Sequence, residues 1–145
     1  MLNFIYNPCA GNGKAKKYYD VISEQLKNSD VEHTFFETQG KAHATKIAKE
    51  LTSGGQQNII VMGGDGTLHE TLNGLHDPAN VKLGLIPCGS GNDFAGSANI
   101  PCTPSEALNI ILGGKTKYVD FMECSGIRGI NVIGAGIDVD ILKRC

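Results

Sequence analysis

The chain has no strong excess of either charge, no cysteines at metal or redox spacing, and no long apolar run. Its formal charge is −2 over 145 residues, which argues against nucleic-acid binding through an overall basic field. The five cysteines, Cys9, Cys88, Cys102, Cys124 and Cys145, form no C-x-x-C pair, so neither a zinc ribbon nor a dithiol centre is indicated. His33, His43, His69 and His76 show no ligand spacing and read as surface or helix-face groups. No apolar stretch approaches the roughly 20 residues that span a bilayer. Met1 to Pro8 lack the basic start and long apolar core of a secretory leader. Together these absences predict a reduced, cytoplasmic protein. Internal repeats and low-complexity tracts are missing as well.

Several familiar signatures also fail on single residues. Gly114-Lys115-Thr116 could end a Walker A loop, but Asn109 stands where the leading glycine must be. The dinucleotide pattern G-x-G-x-x-G breaks at Lys16 after Gly11, and at Val139 after Gly134. A nucleophile elbow at Ser90 would need glycine at position 88, which is cysteine.

What the chain does have is glycine, 19 residues of it, clustered after predicted strands. Strands are expected at Leu2–Tyr6, Val31–Glu37, Asn58–Met62 and Lys82–Ile86. Helices are expected near Lys16–Lys27, Lys41–Leu51 and Thr67–Leu75, briefly around Phe94, and from Thr103 to Leu112. At the last of these, Thr103, Pro104 and Glu106 read as a capping box with proline at the first helical position. Further strands are expected over Lys117–Cys124 and Gly129–Ile133. Alternation of strand and helix predicts an α/β domain with a parallel sheet covered on both faces. Ligands then gather at the carboxyl ends of the strands, where the glycine loops after Tyr6, Met62 and Ile86 all fall.

The most informative segment runs from Asn58 to Glu70, an apolar strand entering Gly63-Gly64-Asp65-Gly66-Thr67 and then a helix. Such a turn converges backbone N–H groups on one point and adds the partial positive charge of a helix start. Asp65 is unexpected in an anion cradle. An acid there meets a divalent cation, takes a proton from a hydroxyl, or bonds a nucleotide hydroxyl. The basic cluster Lys14, Lys16 and Lys17 is either a solvated helix face or a phosphate-steering patch.

Three motifs carry a family resemblance. Gly63 to Thr67 followed by Glu70 and Asn73-Gly74, Pro87 to Ala95, and Asn7 to Gly11 together resemble the diacylglycerol kinase catalytic-domain family, which includes bacterial lipid kinases and the sphingosine and ceramide kinases. Asn131 to Asp138 is similar to the segment that opens that family's second domain. The resemblance implies a three-layer, parallel-sheet domain like the N-terminal domain of NAD and diacylglycerol kinases, with the second, mostly β domain missing. It divides the chain into a nucleotide-binding domain over 1–125 and the start of a truncated second domain over 126–145.

It also implies ATP and Mg²⁺ as cofactors and transfer of the γ-phosphoryl group to a lipid hydroxyl at a membrane surface. On that pattern Asn7, Pro8, Cys9, Ala10, Gly11, Thr38, Gly63, Gly64, Asp65, Gly66, Thr67, Leu68, His69, Glu70 and Ser90 surround ATP. Asp65 is the catalytic acid. Thr67 both caps its helix and bonds a phosphate, while Thr38 either faces ATP or ends its strand. Asn92, Asp93 and Asp138 brace the second loop or face the acceptor. The metal ligands remain unknown. Other readings are a NAD kinase-like phosphotransferase, which leaves Pro87–Ala95 unexplained, and an inactive nucleotide-binding fragment. Self-association through an uncovered C-terminal edge is a further expectation.

Overall fold

Period-2 alternation along each strand sends apolar side chains to both faces of one sheet. In a computed structural model that describes residues 1–131, β1 (Leu2–Tyr6), β2 (His33–Glu37), β3 (Asn58–Gly63) and β4 (Lys82–Pro87) form a parallel sheet in the order β2-β1-β3-β4. The helices are α1 (Lys14–Lys27), α2 (His43–Ser53), α3 (Asp65–Gly74), the single-turn α4 (Asp93–Ser97) and α5 (Pro104–Leu112). Phe4, Tyr6, Ile60, Met62 and Ile86 meet Ile22 and Leu26 of α1 and Leu108 of α5 on one face. Ile5 and Ile59 meet Ala44, Ile47 and Ala48 of α2 and Leu72 of α3 on the other. Full burial of each such aliphatic or aromatic side chain contributes roughly 1.5–3 kcal/mol. Among the described residues, no helix is long and apolar enough to cross a membrane.

Four sequence expectations need adjustment. The second strand begins at His33 rather than Val31, because His33 pairs with Leu2, the first residue of β1. Positions 132 and 133 of the expected last strand lie outside the described residues. Among the described residues the tail forms strands only at β5 (Met122–Cys124) and β6 (Ile127–Gly129), an antiparallel hairpin. Its turn residues Ser125 and Gly126 both have positive φ, 51° and 78°, which suits a two-residue hairpin turn and fixes the short strands around it. Thr103 does occupy the N-cap of α5 with Pro104 inside, but its side chain makes no cap hydrogen bond. Thr67 is not the cap of α3 either. Gly64 holds that place in extended conformation, leaving Thr67 within the first turn.

The chain order places α1 on one face and α3 on the other although their parent strands, β1 and β3, are neighbours. A crevice opens at the carboxyl ends of strands whose connections diverge in this way.

Candidate functional site

The ladder continues one residue past each strand, bringing the loops to a common level. Asn7 N–H donates to the Met62 carbonyl at 3.0 Å, Thr38 N–H to Tyr6 at 2.8 Å, and Cys88 N–H to Gly63 at 2.8 Å. Above that level lies a cleft of about 450 Å³ walled by all four loops. Asn7, Cys9, Ala10 and Gly11 come from β1, and Thr38, Gln39, Gly40 and Lys41 from β2. Gly64, Gly66, Thr67 and Glu70 come from the β3 side, Gly89 from the β4 loop, and Ala44 from α2. Its volume lies in the usual range for a small-molecule site.

Asn7 ties two of these loops together. Its Nδ2 donates to Thr67 Oγ1 at 3.0 Å, while its Oδ1 accepts the Cys9 N–H at 3.0 Å. Close contacts explain two glycines, one with a side chain and one with backbone. A Cβ on Gly63 would stand 2.6 Å from Thr67 Oγ1, and one on Gly89 would stand 2.7 Å from the Gly64 Cα. The loops after β3 and β4 therefore touch main chain to main chain. Asn92 holds the second of them from inside. It lies in left-handed conformation at φ 57°, its Oδ1 accepting the Gly89 N–H at 2.9 Å and its Nδ2 donating to the Gly89 carbonyl at 2.8 Å.

The first three N–H groups of α3, those of Asp65, Gly66 and Thr67, have no intrahelical acceptor, since the helical ladder starts with Leu68 N–H on Gly64 O at 3.0 Å. Gly66 has open space around its Cα. This end of α3 thus offers N–H donors and partial positive charge to an anion in the cleft.

Asp65 is not among the cleft-lining residues. Its carboxylate reaches the β4 loop, where Oδ2 accepts the Asp93 N–H at 3.3 Å and Oδ1 the Phe94 N–H at 3.4 Å. Asn131 Nδ2 donates to the same Oδ1 at 3.5 Å. The side chain is half-buried, between the Gly63–Thr67 turn and the β4 loop. Leu68 is buried in the core with Val61, Leu85 and Ala95. His69 and Ser90 are exposed and do not line the cleft; Pro8 is half-buried and Gly63 buried beneath it. Asp93 is exposed beside Asp65, and Asp138 lies outside the described residues. The sequence reading missed Gln39, Gly40, Lys41, Ala44 and Gly89. Only Gly40 and Gly89 carry a signal, as glycines following strands.

The N–H donors at the start of α3 would suit the phosphates of a nucleotide. Among the described residues, no three His, Cys, Asp or Glu side chains come together to hold a metal ion. A magnesium ion would take most of its oxygen ligands from the nucleotide and water.

The two loop cysteines are both free thiols but differ sharply in exposure. Cys9 is exposed and Cys88 fully buried. Burial pushes the Cys88 thiol up to about 12, with Lys14 opposing only in part. Maleimide should label Cys9 in the folded protein and reach Cys88 only after denaturation, as read by mass spectrometry of the peptides. Equal rates at both thiols would mean that the Pro87–Gly89 segment opens freely.

Comparison with known proteins identifies the fold and the family. The diacylglycerol kinase catalytic domain family model matches residues 1–124. The chain is 31% identical to a diacylglycerol kinase of Staphylococcus carnosus, with 91% of this chain and 44% of that protein aligned. It is 34% identical to a diacylglycerol kinase of Bacillus subtilis, over 91% of this chain and 44% of the relative. The crystal structure of a diacylglycerol kinase from Bacillus anthracis superposes with a TM-score of 0.78 at 32% identity, covering 88% of this chain and 45% of that one. The chain thus spans about half the length of the relatives it matches. With its parallel sheet, its glycine-lined cleft and a match over residues 1–124, the chain belongs to the diacylglycerol kinase catalytic domain family.

Proposed function

We propose that the cleft binds ATP and forms the nucleotide half of a lipid kinase acting at a membrane surface. The observation that carries this is the convergence of four loops on the free N–H end of α3. Phosphoryl transfer needs little covalent chemistry from the protein, so positioning and charge neutralisation dominate. The phosphates would lie against Gly64, Gly66 and Thr67, with the Asn7–Gly11 loop closing over them. ATP brings the transferable group, and Mg²⁺ neutralises its charge. Asp65, half-buried at the boundary of the two glycine loops, is the acid best placed toward an acceptor arriving from the Asp93 side. Relatives named diacylglycerol kinases support a diacylglycerol-like lipid as that acceptor. Residues after 125 would begin a second unit that completes the cleft, although the β5–β6 hairpin already straddles that position.

The test is a titration of the chain with MgATP, and separately with NAD, followed by backbone NMR. Millimolar MgATP should shift the amides of Asn7–Gly11, Thr38–Lys41 and Gly64–Glu70. Shifts confined to other surfaces would end the proposal, and tight NAD binding at the same loops would favour a NAD kinase-like enzyme instead. In a form lengthened by a C-terminal half like those of its relatives, Asp65→Asn should cut turnover on diacylglycerol vesicles by about 10²–10⁴-fold. Its KM for ATP should change by only a few fold. Near-normal turnover would move the acid–base role to another residue.

A further inference from the structure

Ala42 is in a conformation alanine avoids. At the N-cap of α2 it has φ 61° and ψ 6°, the left-handed region, disfavoured for a residue with a Cβ by roughly an order of magnitude in population. Its neighbours explain how it stays there. The Ala42 N–H donates to Glu70 Oε1 at 2.8 Å, and Thr45 Oγ1 donates to the Glu70 carbonyl at 2.9 Å. On the other side of the turn, Gln39 N–H donates to His43 Nδ1 at 2.8 Å. A carboxylate accepting from a helix-start N–H is a charge-assisted bond and one of the stronger local restraints available. The restrained segment leads directly from the Gln39, Gly40 and Lys41 wall of the cleft.

We infer that Glu70 is a positioning residue. Its carboxylate clasps Ala42 in left-handed conformation and so sets the β2 wall of the cleft. The functional part of this inference rests on the ATP reading above. Because Glu70 lies on α3, the helix that offers its N–H groups to the phosphates also fixes the β2 wall, beside the Asn7–Gly11 loop. The clasp needs an oxygen acceptor rather than a charge, so glutamine can serve, whereas alanine cannot. It needs this acceptor only while residue 42 carries a Cβ, because glycine adopts the left-handed region without penalty.

These requirements define four variants of the 145-residue chain: Glu70→Ala, Glu70→Gln, Ala42→Gly, and Glu70→Ala combined with Ala42→Gly. Each is titrated with MgATP and followed by amide hydrogen exchange. Glu70→Ala should weaken ATP about tenfold and speed exchange at Ala42 about tenfold, the loss of one hydrogen bond. Glu70→Gln should stay within about threefold of the parent, and so should Ala42→Gly. Adding Ala42→Gly to Glu70→Ala should return ATP affinity to within about threefold of the parent. The clasp is overturned if the double variant binds as weakly as Glu70→Ala, or if Glu70→Gln does; either result places the Glu70 charge on the nucleotide or its metal. If Glu70→Ala does not fold, the glutamine variant decides by its affinity. If the parent chain binds no ATP, the ATP reading fails on its own. Exchange at Ala42 in Glu70→Gln and Glu70→Ala then decides the clasp, and equal protection in both would refute it.

Discussion

Replacing Gly74 by alanine is expected to destabilise the domain by about 3 kcal/mol, the upper part of the overpacking range, and to lower its melting temperature by roughly 10 °C. A Cβ at this position would fall on the carbonyl oxygen of Thr45 and stand 2.8 Å from the Ala48 Cβ. Both contacts belong to α2, whose Ala44, Ile47 and Ala48 are buried against α3 and the sheet. A helix backbone cannot yield as a flexible side chain can, so α2 and α3 must separate. Their separation would also stretch the Thr45–Glu70 hydrogen bond. Gly96→Ala is the control, since nothing lies within 4 Å of that position and alanine favours a helix. Chemical denaturation of both variants provides the check. Equal stabilities would mean that the α2–α3 approach is looser than described.

Gly11→Ala should combine strain with collision. At φ 61° the residue is left-handed, and an added Cβ would fall on the Cys88 carbonyl oxygen. The conformational cost is about 1–2 kcal/mol, and displacing a buried carbonyl adds about 2 kcal/mol. Gly13→Ala separates the two terms. That residue is also left-handed, at φ 87°, yet has nothing within 4 Å, so it should show the strain alone. Gly11→Ala should also weaken MgATP binding at least thirtyfold, because about 2 kcal/mol of displacement corresponds to that ratio and moves the loop that carries Gly89. Measured losses of equal size in the two variants would remove the collision from the argument.

How much of this was legible without coordinates depends on the kind of interaction. Strands β1, β3 and β4 were legible because each is a short, mostly apolar segment, and β2 because two phenylalanines stand between polar residues. The helices were legible because apolar spacing follows the helical period. The cleft was legible where glycines follow strands, at Gly11, Gly64 and Gly66. Side-chain caps misled: Thr103 and Thr67 have suitable hydroxyls, yet α5 has no side-chain cap bond and α3 starts at Gly64. A hydroxyl near a helix start reveals capability, whereas a competing partner decides its use; the Thr67 hydroxyl accepts from Asn7. The β2 wall at Gln39 and Lys41 was invisible, because it depends on backbone shape held by Glu70 from 28 residues away. The same limit hid the pairing of Asn73 with Arg128.

That pairing gives α3 a second task. Asn73 Oδ1 accepts the Arg128 N–H at 2.9 Å and its Nδ2 donates to the Arg128 carbonyl at 2.8 Å. Arg128 Nη1 in turn donates to the carbonyls of Leu75 at 2.7 Å and Leu72 at 3.3 Å, at the C-terminal end of the helix. The ten residues of α3 form a strut of about 15 Å, with the Gly63–Thr67 turn at one end and the β5–β6 hairpin bolted to the other. No loose joint lies between the two attachments, so a displacement of Gly64–Thr67 by an incoming anion would carry the hairpin as cargo. The β5–β6 hairpin would report, at a distance, on whether the cleft is filled.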